Sequence, residues 1–233
     1  MILAFGCSIA HGCELVHPYQ HEENTLLSYP QLVADHLGTS CINYSLCGIS
    51  NEGIFHLLQE KVAQYKDVDT IIVGWTASMR EYWRANGRHW FVIPSWTATL
   101  EDAGSKPTHV KDYSEKGVKE SYDKGIDIND NPRIVTDDEQ YLDELETNYK
   151  FTIKNKFDDY EYQLKKKHYI NNVRMYATVN NIKLIETANL EPIDDVAIYT
   201  DTIGQWRDIR IAHPNKLEHE IIAKQIIEQY YGR

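Results

Sequence analysis

The sequence has few cysteines, a deficit of basic residues and no long hydrophobic run. Lysine and arginine number 24 against 35 aspartates and glutamates, which gives a formal net charge of −11. Because Lys and Arg contacts with phosphates supply most of the affinity in non-specific duplex binding, this deficit argues against a nucleic-acid-binding protein. No apolar run approaches the roughly 20 residues that cross a bilayer, so we expect no membrane segment. The 4 cysteines all fall within the first 50 residues, too few for a disulfide-rich secreted scaffold, and free thiols in a reducing cytoplasm are expected.

The residues that are present suit a folded domain. The chain has 233 residues, of which 42% are hydrophobic and 11% aromatic, including 16 Tyr and 5 Trp. A chain of this size and composition can bury a sizeable core. It opens on an apolar stretch with no basic region before it, so we expect no signal peptide and a cytoplasmic location. We predict a single α/β domain over residues 1–233.

Strand and helix patterns alternate along most of the chain. Apolar or β-branched runs predict strands, and apolar residues at helical spacing predict helices. The strands are predicted over residues 2–6, 41–44, 69–75, 182–186 and 196–200, and the helices over 28–38, 51–65, 151–180 and from 216 onward. This alternation predicts a mostly parallel sheet in a three-layer α/β/α architecture, whose ligands bind beyond the carboxyl ends of the strands.

One stretch departs from this alternation. Residues 101–150 contain fourteen acidic and seven basic side chains, so most of the negative charge of the protein lies there. A structureless loop of this length is unusual inside a compact domain. We therefore predict that residues 97–150 form an acidic insertion or lid.

A serine and a histidine at opposite ends of the chain are candidates for catalysis. Ser8 follows the first predicted strand by one tight turn, and His213 precedes the last helix. A serine becomes a nucleophile when a base such as histidine takes its proton. The alternative is that Ser8 caps a turn and that His213 is an ordinary loop histidine.

Four short blocks carry a resemblance to the SGNH (GDSL-like) hydrolase superfamily. Phe-Gly-Cys-Ser at 5–8, followed by Gly12, resembles the Gly-Asp-Ser block, and residues 43–51 resemble the second block, whose glycine is Gly48 here. Residues 71–76 lie where the third block follows its strand, and His-Pro-Asn at 213–215 resembles the block of the catalytic histidine. The resemblance spans residues 2–230 apart from about 75–150. It implies a five-stranded, flavodoxin-like sheet.

The resemblance also implies roles for individual residues. Ser8 would be the nucleophile and His213 its base, and Gly48 would donate its backbone N–H to an oxyanion hole. Thr76 and Ala77 replace the usual Asn-Asp of the third block, and the Thr76 hydroxyl could substitute for the missing amide. Arg210 stands where the family has its acid, so Asp208 is the predicted acid, or a backbone carbonyl takes that part.

Three further residues are predicted to contact substrate. Asn51, Trp75 and Arg80 lie in or beside the loops that follow two strands, and arginine with aromatic faces suits a sugar or an anionic group. The alternative is that the aromatics pack the insertion onto the domain and the arginines pair with its acids. A zinc site is a minority interpretation of five potential ligands, although their spacing matches no finger pattern: Cys7, His11, Cys13, His17 and His21.

These observations predict a serine esterase or deacylase for a small acyl ester, such as an O-acetyl group on a carbohydrate. The resemblance implies no metal and no cofactor. Cys7 in place of the usual Asp resembles virus-encoded relatives, so a phage protein in the host cytoplasm is expected. The alternatives are an SGNH-fold binding or structural accessory protein of a phage with an impaired site, and an acyltransferase. The oligomeric state is left open.

Overall fold

The structure is a computed structural model in which most of the chain is described. None of the helices in this part combines the length and the hydrophobicity required to span a bilayer. The described residues are 1–17, 21–77, 80–85, 88–93, 108–110, 115–124, 133–135, 142–156, 159–189, 193–196, 198–199 and 213–232.

The strands and helices follow one another in an alternating order that a second group of strands interrupts. The strands are β1 (Ile2–Gly6), β2 (Cys41–Asn43), β3 (Thr70–Trp75), β4 (Glu81–Ala85), β5 (Arg88–Ile93), β6 (Thr108–Val110), β7 (Arg133–Val135), β8 (Lys183–Ala188) and β9 (Ile198–Tyr199). The helices are α1 (Ser8–His11), α2 (Tyr29–Leu37), α3 (Asn51–Val62), α4 (Glu115–Asp123), α5 (Leu142–Lys156), α6 (Asp159–Val179) and α7 (Lys216–Tyr230). A 3-10 helix covers Glu22–Leu27.

The central sheet has the strand order β2-β1-β3-β8-β9, and each neighbouring pair is parallel. In sequence terms this is the order 2-1-3-4-5 of flavodoxin-like sheets. Both β1 and β3 are buried along their whole length, as strands with helices on both faces must be. The predicted α/β architecture with a flavodoxin-like parallel sheet is therefore confirmed.

One apolar cluster joins this sheet to the helices around it. Phe5 of β1 and Val73 of β3 belong to the same buried cluster as Val33 of α2, Leu58 of α3 and Ile226 of α7. Helix α2 packs on α7, and α3 packs on α6. The core therefore lies around the two central strands whose carboxyl ends form the candidate site.

Local sequence signals set several helix boundaries. Pro30 lies in the first turn of α2, and Gly38 ends it in a left-handed conformation with φ of 64°, which glycine adopts without steric cost. Asn215 and Glu218 form a reciprocal capping box at the start of α7. The long helix predicted over 151–180 is instead two helices. Helix α5 begins earlier, at Leu142, and ends at Lys156, and α6 begins at Asp159.

A second sheet follows β3. Its strands have the order β4-β5-β7-β6, with an antiparallel hairpin of β4 and β5. The sheet begins at Glu81, ahead of the predicted start of the insertion at 97. The insertion over 97–150 as a unit of its own stays a prediction, and its described residues include β6, α4 and β7.

Candidate active site

The carboxyl ends of the central strands converge on the first short helix. Gly6 of β1 is paired with Gly74 of β3, and both lie against Ala10 of α1. A Cβ atom built on Gly6 would lie 2.6 Å from the Ala10 Cβ, and one on Gly74 would lie 3.1 Å from it. Because neither glycine has a side chain, α1 approaches the sheet closely. This approach positions the residue that begins the helix, Ser8.

Ser8 is almost buried, with 7% of its surface exposed. Its backbone carbonyl accepts hydrogen bonds from the N–H groups of Gly12 and Cys13, each at 3.0 Å. Cys7, in the position of the usual aspartate, is completely buried, and the Asn189 amide lies 3.6 Å from its Sγ. Within the described residues the Ser8 hydroxyl and the His213 imidazole do not form a hydrogen bond, so the predicted direct contact is not made in this structure.

A carboxylate that the sequence reasoning missed lies against His213. The Nδ1 atom of His213 is 3.0 Å from Oε2 of Glu14, and both side chains are partly buried. Glu14 follows α1 directly and has a φ of 71°, a left-handed conformation that glutamate rarely adopts. The nearby turn is closed by a hydrogen bond from the Leu15 N–H to the Gly12 carbonyl. The feature of the sequence that could have identified this carboxylate is Glu14 itself, an acidic residue just after the turn at Gly12.

The Glu14 contact has a chemical consequence for His213. In a serine hydrolase triad the acid bonds to Nδ1, which leaves Nε2 with the lone pair that takes the serine proton. Glu14 contacts that same nitrogen. Asp208, the acid predicted from the sequence, lies outside the described residues, and its role stays a prediction.

Two buried histidines lie near His213. Burial, together with the smaller effects of the nearby His213 and His21 imidazoles, lowers the pKa of His11 to about 4. Burial, together with His213, lowers the pKa of His219 to about 3. Both imidazoles are therefore neutral at neutral pH.

His219 also connects the last helix to the rest of the core. Its Nδ1 accepts a hydrogen bond of 3.0 Å from the Tyr29 N–H, and the two rings stack with centroids 5.8 Å apart. The Tyr29 hydroxyl in turn lies 2.9 Å from the Thr187 hydroxyl at the end of β8. These contacts hold α7, and with it the residues just before it, against the site.

The loops of the predicted oxyanion hole are tightly fixed. Gly48 lies in a turn with φ of 78°. Asn51 accepts a hydrogen bond of 2.9 Å from the Thr76 N–H and donates to the Thr76 carbonyl at 3.0 Å and to the Ala77 carbonyl at 3.3 Å. The Thr76 hydroxyl is buried and has no hydrogen-bond partner among the described residues. The Asn51 side chain therefore orients the loop at Thr76 and Ala77 through both its amide oxygen and its amide nitrogen.

The two other predicted substrate contacts have different surroundings. Trp75 is completely buried, and its indole N–H donates to Glu186 at 2.8 Å, so we assign it to the core rather than to substrate binding. Arg80 is also largely buried and donates to the Ile49 carbonyl at 3.4 Å. Together with Tyr162 and Tyr169 it lines a small, open cleft beside Asn51. Arg80 thus lies beside Asn51, the residue that contacts the Thr76 loop.

Two of the four cysteines are not free thiols, contrary to the expectation from the sequence. Cys13 and Cys47 are joined by a disulfide, whereas Cys7 and Cys41 are free. The disulfide links the segment after α1 to the residue before Gly48. It therefore ties the loop of the predicted nucleophile to the loop of the predicted oxyanion hole.

Comparisons with known proteins give structural likenesses only. No family model and no curated protein matches the sequence. A member of the lipolytic G-D-S-L family from Veillonella parvula is 15% identical, with 98% of this chain and 97% of that chain covered and a TM-score of 0.36. A G-D-S-L family protein from Desulfitobacterium hafniense is 11% identical, with 96% and 95% covered and a TM-score of 0.35. A family two carbohydrate esterase from Clostridium thermocellum, in complex with cellohexaose, is 13% identical, with 100% and 65% covered and a TM-score of 0.33. The fold assignment rests on the strand order of the central sheet.

Proposed function

We propose that this protein is a serine hydrolase, an esterase or deacylase, with Ser8 as nucleophile and His213 as general base. The observation that carries the proposal is the contact of Glu14 with Nδ1 of His213 at 3.0 Å, beside the helix that begins at Ser8. A carboxylate on Nδ1 holds the imidazole in the tautomer whose Nε2 accepts a proton. General-base contacts often tighten only when substrate is bound, so the absence of a direct Ser8 contact is compatible with this role.

The proposed reaction has two steps. Nε2 of His213 takes the proton of the Ser8 hydroxyl as Oγ attacks the ester carbonyl, and the alcohol leaves with that proton. Water then loses a proton to His213 and attacks the acyl-serine. The bond between the acyl carbon and Ser8 Oγ breaks, the acid is released, and His213 returns the proton to Oγ. The N–H groups of Ser8 and Gly48, with the Thr76 hydroxyl, would stabilise the oxyanion of each tetrahedral intermediate.

The surroundings of the site support a small acyl ester on a carbohydrate as the substrate. Tyr169, which is partly exposed, and Arg80 line the cleft beside Asn51, and an aromatic ring with a guanidinium suits a sugar ring or an anionic substituent. Asn51 contacts both this cleft and the Thr76 loop. A sugar bound across the mouth of the cleft would therefore lie beside the predicted oxyanion hole.

The test is labelling with a serine-directed fluorophosphonate, together with hydrolysis of p-nitrophenyl acetate. We expect the wild-type protein to be labelled and active, and Ser8→Ala and His213→Ala each to lose both properties. Ser40→Ala, at an exposed serine, is the matched control and should behave as wild type. Labelling that persists in Ser8→Ala would contradict the assignment of the nucleophile. Folded wild-type protein with neither labelling nor hydrolysis would favour the alternative, a binding protein on the same fold.

A further inference from the structure

A second cluster of chemically active side chains lies in the loop after α1. One nitrogen of His17, one nitrogen of His21 and one carboxylate oxygen of Glu23 all lie within 4.8 Å of one another. Nε2 of His17 is 2.7 Å from Oε2 of Glu23, and the two imidazole rings have centroids 4.1 Å apart. Three potential ligand atoms thus lie close together.

A buried asparagine holds this cluster in place. Asn24 is completely buried, and its side-chain oxygen accepts hydrogen bonds from the N–H groups of Val16 and His17 at 2.8 and 2.9 Å. Its amide donates to the His17 carbonyl at 2.9 Å, and its own N–H donates to the His21 carbonyl at 3.0 Å. Both histidines are therefore tied to one residue of the 3-10 helix, which also carries Glu23. These hydrogen bonds hold the backbone at His17 and His21 next to the helix that carries Glu23.

The donor set indicates which kind of ion would bind. Two imidazole nitrogens and one carboxylate oxygen suit zinc and similar transition ions, whereas calcium and magnesium prefer oxygen ligands alone. The His17 and Glu23 side chains are 39% and 54% exposed, so water can reach the remaining coordination positions. An ion would replace the proton shared by His17 and Glu23. If it binds Nδ1 of His21, it would also compete for that nitrogen with the Glu23 N–H, which donates a 3.2 Å hydrogen bond to it.

We propose that His17, His21 and Glu23 form a binding site for a divalent transition metal ion of the zinc class, built from residues other than Ser8, Glu14 and His213. It differs from the zinc interpretation considered from the sequence, because Cys13 is bonded to Cys47 and Cys7 lies beside Asn189. Of that earlier set only His17 and His21 belong to the cluster, and Glu23 joins them. The site needs no assumption about the hydrolase reaction.

The experiment is calorimetric titration of the metal-free, oxidised protein with Zn²⁺, using protein without an affinity tag. We expect the wild-type protein to bind one Zn²⁺ per chain. The affinity for Zn²⁺ should fall by about tenfold or more in each of the variants His17→Ala, His21→Ala and Glu23→Gln. His56→Ala is the matched control, because His56 also pairs with a carboxylate, Glu52, at 3.7 Å. This variant should bind Zn²⁺ as the wild type does. Zn²⁺ should also raise the thermal unfolding temperature of the wild type, and not that of His21→Ala.

Several outcomes would overturn the proposal. The first is that the wild type shows no saturable binding of Zn²⁺. The second is that the three variants bind Zn²⁺ with the affinity of the wild type, and the third is that His56→Ala loses as much affinity for Zn²⁺ as they do. Binding that survives in His17→Ala but disappears in His11→Ala would locate the ion elsewhere and would equally refute the assignment. Glu23→Gln retains the size of the side chain, so a fall in affinity in that variant is not explained by a folding defect. Every measurement is of metal binding, so the result is independent of whether Ser8 proves to be catalytic.

Discussion

At the scale of single residues, the orientation of His213 is the decisive feature of the candidate site. Its Nδ1 contacts Glu14, which lies 199 positions away in the chain. The usual acid of the resembling family lies close to the histidine in sequence, where this chain has Arg210. The Glu14 carboxylate, which comes from the opposite end of the chain, would take over the task of orienting the His213 imidazole.

Substitution of Glu14 tests this assignment. Glu14→Gln should lower kcat for an ester substrate by roughly 10²–10⁴-fold with little change in KM, because the amide no longer favours the productive tautomer of His213. Glu14→Asp should recover part of the activity.

Two matched variants complete that experiment. Glu22→Gln changes an exposed acid in the neighbouring 3-10 helix and should leave kcat unchanged. Asp208→Asn tests the acid predicted from the sequence. If Asp208→Asn abolished activity and Glu14→Gln did not, Asp208 would be the orienting acid.

The buried histidines predict a loss of stability in acid. Their folded-state pKa values are lowered from 6.5 to about 4 for His11 and about 3 for His219, so the unfolded chain binds protons first. The stability is fully present above about pH 6.5 and should fall as the pH drops toward 4, by up to about 1.4 kcal/mol per pH unit for each histidine. Urea unfolding at a series of pH values measures this slope. His219→Asn should make the slope shallower, whereas His36→Asn, at an exposed position, should not; an unchanged slope in His219→Asn would contradict the assignment.

At the scale of elements, short loops with specific hydrogen bonds position the site. Asn51 fixes the loop after β3, and the glycine pair Gly6 and Gly74 lets α1 approach the sheet. The capping box of α7 begins two residues after His213. Each of these features connects a regular element to a residue of the proposed machinery.

The capping box provides a prediction at this scale. Asn215→Ala should lower the free energy of unfolding by about 1 kcal/mol, because the Glu218 N–H loses its hydrogen-bond acceptor at the helix start. It should also lower kcat, since His213 is anchored to the rest of the chain through this segment. Asn148→Ala, at an exposed position within α5, is the control and should not lower stability. Equal unfolding curves for Asn215→Ala and wild type would show that the cap does not stabilise the helix.

At the scale of the whole molecule, the disulfide between Cys13 and Cys47 joins two segments that are separated by 34 positions in sequence. A cross-link closing a loop of this length reduces the freedom of the unfolded chain and stabilises the folded state by about 3–4 kcal/mol in the chain-entropy model. Its removal by the double variant Cys13→Ser/Cys47→Ser should lower the free energy of unfolding by about that amount. Chemical denaturation with and without dithiothreitol measures the difference.

The remaining cysteines give the control for this prediction. Cys41→Ser changes a thiol that is not in the disulfide and should retain the sensitivity of the wild type to dithiothreitol. The double variant should be insensitive to it. A wild-type protein whose unfolding curve does not respond to the reductant would contradict the role of the disulfide in stability.

The sequence by itself determined the architecture. Apolar periodicity located β1, β3 and α2 within a residue or two, because a buried parallel strand and an amphipathic helix leave different spacings in the sequence. Proline, glycine and asparagine set the ends of α2 and the start of α7, since these residues act on the local backbone. The second sheet was not predicted. Its strands β6 and β7 have only three residues each and lack a readable period, whereas β4 and β5 have five and six residues and were interpreted only for their aromatic and arginine side chains.

Only the tertiary structure decided which side chains meet. The contact between Glu14 and His213, the disulfide of Cys13 with Cys47, and the burial of Trp75 against Glu186 all join residues that are distant in sequence. Hydrophobic periodicity reports which face of an element is buried and carries no information about its partner across the fold. Contacts of this kind arise from the packing of whole elements, and for that reason the acid beside His213 could be identified only in three dimensions.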